Sequence, residues 1–371
     1  MLRIVFGLVI VHRRELCRKS RREFAVTRPT TNRPRAVTVG EGLAVLVARP
    51  GPLEDSPVFD RTAGGAEANV AAVLARLGVD AAWLSRVGDD GFGRYLTAQL
   101  GARGVDVSAV VVDPSRPTGL YVKERGAGSG SPTDLAAGTS RMLYYRNGSA
   151  ASALSAADLE TPGARGLLDS AALVHYTGIT AALSESATAL TEALTRLSRA
   201  DRLISFDLNY RPALWSSRPA ADVLARLVRG GDVVFLGADE AQEVFGVGDP
   251  DALRALFPEP RQLIVKNDGN SVTGFDGGER VEVPALRLTV TERIGAGDAF
   301  AGGYLAALLH GAPLVRRLRF GHLCAAAALT GTGDIAELPP PPVLALAAEL
   351  DESDWARTEY PSVVMAENGP S

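Results

Sequence analysis

The chain has 371 residues, 46% hydrophobic and 22% charged, which is ordinary for a soluble globular protein with a sizeable core. Its formal net charge of −4 argues against a general nucleic-acid binder. Cys17 and Cys324 supply neither a disulfide framework nor a metal-ligand spacing, so a reducing cytoplasm is the expected setting. The length suits two domains or one large α/β domain with an appendage.

Residues 1–35 differ from the rest. "RIVFGLVIV" is too short to span a bilayer, and the basic run "HRRELCRKSRREFAVTRPTTNRPR" follows it. A secretory signal has the opposite order, and no apolar stretch follows the twin-arginine-like "SRREF". The segment reads as a disordered basic extension: an over-extended translation start, or a basic tail able to dock on acidic partners. From Ala36 short β-rich runs alternate with helical periodicity. "AVTVGEGLAVLVA" reads as one or two strands with a turn at Gly40–Gly42. In "AEANVAAVLARLG", Val70, Val73, Leu74 and Leu77 form one apolar helix face closed by Gly78. "AAWLSRVG" reads as a strand, "GRYLTAQLGARG" as a helix and "ALVHYTGI" as a strand, on which His175 is a packed or surface residue rather than a metal ligand. A helix over "ATALTEALTRLSRA" and a buried strand "LISFDLN" follow, and the rhythm runs on through "DVVFLG", "DEAQEVFG", "QLIVK" and "LRLTV" to a helix after Gly297. This alternation predicts a mainly parallel sheet covered by helices on both faces, with ligands beyond the carboxyl ends of the strands.

One region breaks the rhythm. "TGLYVKE" and "RMLYYRNG", within residues 118–147, flank a mobile Gly/Ser-rich connector and read as an antiparallel excursion, the form of a small β-lid over a strand-end site. The lid's strand edges are candidates for dimer pairing. Prolines 339–342 stop any helix, and the segment from about Asp351 is polar enough to be disordered. There is no repeat period and no transmembrane run.

Four constellations carry chemistry. In "ERIGAGDAFAGG" the N–H groups of Gly295, Ala296 and Gly297 can converge on an anion at a helix N-terminus, with Asp298 placed to accept a hydroxyl proton. The same residues also suit a packing turn with a dipole-complementing aspartate. In "TAGGAEAN", Gly64 and Gly65 allow close backbone approach and Asn69 lies in the first helical turn, near a ligand or near a cap. In "YYRNG", Tyr144 and Arg146 share one strand face; an Arg fork suits a carboxylate, and an exposed lid strand also explains the pair. In "FDLNYRPALW", Asp207, Asn209 and Arg211 alternate at a strand end, where Arg211 either meets a ligand or pairs with Asp207. No G-x-x-x-x-G-K-[ST] is present, and the chain has three lysines: Lys19, Lys123 and Lys266. "GTGDIA" lacks the strand before it and the helix after it that a dinucleotide fingerprint needs.

Together, "GGAEANVAAVLARLG", "GDDGFG", "GVDVSAV" and "GAGDAFAGG", in this order, resemble the ribokinase-like (PfkB) carbohydrate kinases over residues 36 to about 340. Within that family "PTGLYVKE", "YYRNGSAAS" and "FDLNYRPALW" are most similar to 2-keto-3-deoxygluconate kinases. The resemblance implies a three-layer αβα sandwich over residues 36–345 with a β-lid at about 43–62 and 118–147, preceded by the 1–35 extension and followed by a 346–371 tail. It implies an enzyme that passes the γ-phosphate of ATP to a primary hydroxyl of a sugar or sugar acid; the cysteine usage makes it a cytoplasmic one, and the lid edges make a homodimer the expected assembly. Asp298 is then the base, and residues 295–297 form the anion hole. Gly65, Asn69, Tyr121, Tyr144, Arg146 and Arg211 line the sugar pocket with Gly64, Asp207 and Asn209, while Lys266 and Gly269 lie near the nucleotide. Mg²⁺ is implied as bound mostly through phosphate and water, with Glu240 acting indirectly.

Two departures bear on this. Glu292-Arg293-Ile294 replaces the usual Asp-Thr-Thr or Asp-Thr-Ser, whose Asp helps hold a monovalent cation, which puts potassium activation in doubt. Gly237 stands where the usual Asn-x-x-Glu has Asn, so weaker metal organisation is expected. A fructokinase or another sugar kinase is the alternative within this chemistry, and a weakly active sugar-binding sensor is the alternative outside it.

Overall fold

The structure is a computed structural model that describes residues 34–361 apart from 217, 218 and 332. The reading of the N-terminal extension lies outside the described residues except at Pro34 and Arg35. Arg35 is the first residue of β1 and pairs with Asp80 at 2.7 Å, so the folded region begins slightly before Ala36.

Among the described residues fourteen strands follow in chain order: β1 (Arg35–Val39), β2 (Leu43–Ala48), β3 (Phe59–Gly64), β4 (Asp80–Leu84), β5 (Arg86–Gly88), β6 (Val111–Asp113), β7 (Leu120–Arg125), β8 (Ser140–Tyr145), β9 (Ala171–Thr177), β10 (Leu203–Asp207), β11 (Val233–Gly237), β12 (Gln262–Asn267), β13 (Ser271–Asp276) and β14 (Glu279–Pro284). The main sheet has the order β14-β13-β12-β11-β10-β9-β1-β4. Its strands from β12 to β4 run parallel, and β13 and β14 extend it as an antiparallel hairpin. Successive residues of the central strands face opposite cores, as a pleat requires. Ala36, Leu173, Val233 and Ile264 pack with the helices Ala66–Arg76, Ala296–Leu309 and Leu314–Thr330. Val37, Val174, Val234 and Leu263 pack on the other face with the helices Pro162–Asp169, Glu185–Thr195 and Ala221–Arg229. The result is the three-layer αβα arrangement.

A second sheet, β3-β2-β7-β8, pairs β2 with β7 in parallel and its outer strands antiparallel. The segment read as an antiparallel excursion is β7 and β8, in register from Leu120↔Tyr145 to Arg125↔Ser140. Their connector is organised by Asp134, whose carboxylate accepts the N–H groups of Ala127 (3.1 Å) and Ser129 (2.7 Å).

Three expectations need correction. "AAWLSRVG" forms two strands, because after the buried Ser85 the chain leaves the main sheet and β5 pairs with β6. "LRLTV" is not a strand; the hairpin β13–β14 takes the sheet edge, and Leu286, Leu288 and Val290 line a cleft instead. The segment after Asp351 is not a loose tail over its described part: a helix spans Glu352–Arg357 and buries Trp355, whose Nε1 donates to Pro284 O at 2.9 Å. Trp355 also packs against Arg319 and His322. Trp355→Ala is expected to destabilise the whole domain by about 3–5 kcal/mol, read as a lower denaturation midpoint with unchanged slope; an unchanged midpoint would show the segment to be peripheral. Among the described residues no helix is long and apolar enough to cross a membrane.

Candidate active site

The carboxyl ends of β1, β10, β11 and β12 converge under the second sheet, and the helix Ala296–Leu309 points its N-terminus into the same space. Gly295 caps this helix with φ of 76°, a left-handed conformation, and a Cβ there would lie 2.5 Å from the carbonyl oxygen of Asp334. Both conditions select glycine. The first helical bond runs from Ala299 N to Gly295 O at 2.8 Å, which leaves the N–H groups of Ala296, Gly297 and Asp298 without helical partners. Asp298 sits in that first turn. Its Oδ2 accepts Asn69 Nδ2 at 2.8 Å, and its Oδ1 accepts Asn209 Nδ2 at 3.3 Å. Burial pushes its carboxyl up to about 7, opposed by the Asn69 hydrogen bond and reinforced by the charge of Asp207.

The strand ends supply the rest. Asn209 adopts φ of 38° just beyond β10, turning its amide back toward Asp298, and its N–H donates to Asp207 Oδ1 at 3.2 Å. Asp207 Oδ2 accepts Lys266 Nζ, from the end of β12, at 2.8 Å. Burial works against the Lys266 charge, but Asp207 and Glu240 outweigh it and hold the ammonium above the ordinary lysine range. Glu240, in the first turn of the helix Ala238–Phe245, accepts Arg211 Nη1 at 2.8 Å, so Arg211 pairs with Glu240 and not with Asp207. Among the described residues Asn69 Oδ1, Asn209 Oδ1 and Glu240 Oε2 are buried without a hydrogen-bond partner. Unmet acceptors around one cavity are what a bound polyhydroxy ligand would satisfy.

The lid closes the other side. Tyr121 and Tyr144 meet with ring centroids 5.2 Å apart, and the Arg146 guanidinium lies 5.6 Å from the Tyr144 ring centroid. The Tyr121 hydroxyl donates to Asp334, so the ring rather than the hydroxyl faces the cleft. Arg146 is paired with Glu41, a fully buried carboxylate that also accepts Ser149 Oγ at 2.7 Å.

Two clefts meet at the helix N-terminus. The first, of about 340 Å³, is lined by Gly65, Asn69, Tyr121, Tyr144, Arg146, Asp207, Asn209, Arg211 and Asp298. The second, of about 500 Å³, has Gly237, Lys266, Gly269 and Ala296 on its polar side, and Leu286, Leu288, Val290 and Ala326 on its apolar side. Gly297, Lys266, Arg211, Glu240 and Arg293 line both. A family model described as pfkB family carbohydrate kinase matches residues 37–341. The chain belongs to that family. It is 37% identical to a 2-dehydro-3-deoxygluconokinase of Thermoproteus tenax over 82% of this chain and 91% of that one. It is 32% identical to Fructokinase-1 of Zea mays over 77% and 88% of the two chains. A 2-dehydro-3-deoxygluconokinase structure from Thermotoga maritima superposes with a TM-score of 0.70 at 26% identity, covering 82% of this chain and 96% of that one.

Of the residues assigned to the sugar, nucleotide or phosphoryl site in this pfkB chain, Gly64 alone lies off both clefts: a Cβ there would sit 3.2 Å from Val45 and from Asp334, so it is a packing position. Gly65 does line the first cleft, with φ of 121°, and a Cβ there would collide with the Glu41 carbonyl oxygen. The sequence reading missed Glu41, although "GEG" at the end of a strand marks it, and it missed Glu67. Glu67 is buried beneath the site and accepts Thr177 Oγ1 at 2.8 Å and Thr180 Oγ1 at 2.7 Å. At Gly237 a Cβ would approach Asp239 Oδ1 at 2.9 Å and Glu240 at 3.2 Å, so an Asn there would displace the present Glu240 side chain.

Proposed function

We propose that this carbohydrate kinase transfers the γ-phosphate of ATP to a primary hydroxyl of a 2-keto-3-deoxy sugar acid, with 2-keto-3-deoxygluconate as the first candidate. The observation that carries the reading is the helix N-terminus at the junction of a polar cleft and a half-apolar one: Asp298 lines the first, and Gly297 lines both. The apolar wall of Leu286, Leu288 and Ala326 suits a nucleobase, and the polar side leads the phosphates toward residues 295–297. Asp298 takes the proton of the sugar hydroxyl as its oxygen bonds to the γ-phosphorus, while the bond from that phosphorus to the ADP oxygen breaks. The unpaired N–H groups of the helix start and the Lys266 ammonium receive the negative charge on the transferring oxygens. Bound with the nucleotide, Mg²⁺ would neutralise phosphate charge. Glu240 fits that indirect role, because its buried Oε2 has no hydrogen-bond partner among the described residues.

Arg146 and Arg211 both line the first cleft, as a substrate carboxylate would require. A fructokinase is the second reading, favoured by the Glu41 carboxylate that already neutralises Arg146. ADP release with 2-keto-3-deoxygluconate, fructose, ribose and gluconate decides between them. The acid is expected to be preferred, and Arg146→Leu, which also leaves the buried Glu41 unpaired, is expected to lower kcat/KM for the acid by about 10–100-fold more than for a neutral sugar, in line with a charge-assisted hydrogen bond. Equal losses on fructose would overturn the carboxylate role. Saturable sugar binding with no ADP from any sugar would leave a sensor.

A further inference from the structure

Lys123 is one of only three lysines in a chain whose Lys and Arg total 39, yet its side chain is 2% exposed. It projects from β7, where Val47 and Met142 are its strand neighbours. Its ammonium lies 2.5 Å from Glu292 Oε2 and 3.8 Å from Asp334 Oδ1. Neither carboxylate belongs to the lid. Glu292 opens the turn that leads into Gly295, and the Asp334 carbonyl oxygen packs directly under Gly295. The second carboxyl oxygen of Asp334 accepts the hydroxyl of Tyr121, whose ring lines the sugar cleft.

Two carboxylates this close and this sheltered repel unless a cation lies between them, and Asp334 Oδ1 has no hydrogen-bond partner among the described residues. The Lys123 charge outweighs burial at Glu292 and holds that carboxyl below its ordinary range, while at Asp334, farther from the ammonium, burial prevails over Tyr121 and Lys123 and raises the carboxyl. An ammonium is a compact point charge, whereas the guanidinium used elsewhere in this arginine-rich chain is a planar fork that a small enclosed space between two carboxylates excludes. A cavity of about 90 Å³, lined by Lys123, Ser140, Thr291 and Glu292, opens beside the pair, so a small ion has a way in when the side chain is removed.

We propose that Lys123 is a positioning residue whose ammonium serves as a built-in monovalent cation, tying the lid strand to Glu292 and Asp334 and thereby setting the 295–297 turn that receives the transferring phosphoryl group. This rests on the kinase reading above. Lys123 is outside the lining of both clefts, so it acts through the two segments it binds together. Turnover therefore needs no free potassium, and closing the lid and shaping the anion hole become one event.

The test compares the full-length wild type with Lys123→Ala and Lys123→Arg in NaCl, KCl and NH4Cl at equal ionic strength, reading ADP release, sugar binding and thermal midpoint. The wild type is expected to turn over alike in the three salts. Lys123→Ala is expected to lose about 10²-fold or more in kcat with sugar affinity changed far less, as removal of an oxyanion donor does, and NH4Cl is expected to return at least about tenfold of that loss. Lys123→Arg, with its charge but the wrong shape, is expected to be impaired and unresponsive to ammonium. NH4Cl should also raise the thermal midpoint of Lys123→Ala above its value in NaCl, and leave the wild type unmoved. A wild type that KCl activates several-fold over NaCl overturns the proposal, and this arm stands even where the alanine variant does not fold. A Lys123→Ala enzyme with wild-type kcat in NaCl overturns it as well. Absence of ADP from every sugar in every salt would defeat the kinase reading instead, with the ammonium-dependent midpoint still deciding for or against the cation role.

Discussion

Asp298→Asn is expected to lower kcat by about 10²–10⁴-fold with sugar and nucleotide affinities little changed, because it removes the proposed proton acceptor and keeps the side-chain shape. The amide can still hydrogen-bond around Asn69 and Asn209, so the cleft stays assembled. The pH dependence makes the test specific. Burial, with the Asp207 charge adding to it, pushes the Asp298 carboxyl up to about 7 from an ordinary value of 3.8. A base works ionised, so wild-type kcat/KM should climb as pH passes through about 7 and level off above it, and the variant's residual activity should lack this limb. Stability should move the other way. A carboxyl raised on folding contributes most below its unfolded value of 3.8 and loses that contribution as pH rises through about 7. The thermal midpoint of Asp298→Asn relative to wild type should therefore grow between these two pH values and then stay constant. A pH–rate profile identical in the two proteins would remove Asp298 from the role of base.

Gly295→Ala is expected to lower kcat by about 10²–10³-fold, the loss typical of one oxyanion donor, with sugar affinity within about threefold of wild type. The residue has φ of 76°, which costs a side-chain-bearing residue about 1–2 kcal/mol. The added methyl would also meet the Asp334 carbonyl at 2.5 Å, a backbone atom that cannot rotate away. Relief comes only by shifting the 295–297 turn, and the N–H groups proposed to receive the phosphoryl oxygens move with it. ADP release gives kcat, and calorimetry with the sugar alone gives affinity. A variant with wild-type kcat would show that the turn is a packing device and that phosphoryl charge is met elsewhere.

Local order was legible in the sequence wherever a single period ran unbroken. The helix Ala66–Arg76 follows the i, i+3, i+4 apolar pattern of Val70, Val73 and Leu74, and the buried strands β9, β10, β11 and β12 follow short apolar runs. The glycines and aspartate of "GAGD" could be read as an anion seat with an adjacent base, since the conformational demand of Gly295 and the place of Asp298 in a helix start are local properties. Order along the chain also sufficed to recognise the family. Which strand continues into which sheet was not legible: Ser85 and the apolar residues around it look alike whether the chain stays in the main sheet or leaves it, because hydrophobicity reports burial and not partner. For the same reason "LRLTV" resembled a strand although it walls a cleft.

Charge pairing around the clefts was decided by the tertiary structure alone. Nothing local joins Lys266 to Asp207, Arg211 to Glu240, Arg146 to Glu41 or Lys123 to Glu292, residues separated by tens to more than a hundred positions. A buried charge takes whichever opposite charge the fold brings within reach, and that depends on strand order and lid register rather than on neighbours in sequence. The sequence by itself thus determined most helix and strand segments, the family and the glycine-dependent turn at the start of the helix Ala296–Leu309. Folding decided which arginines and lysines are committed to carboxylates and which of their donors remain to meet a substrate.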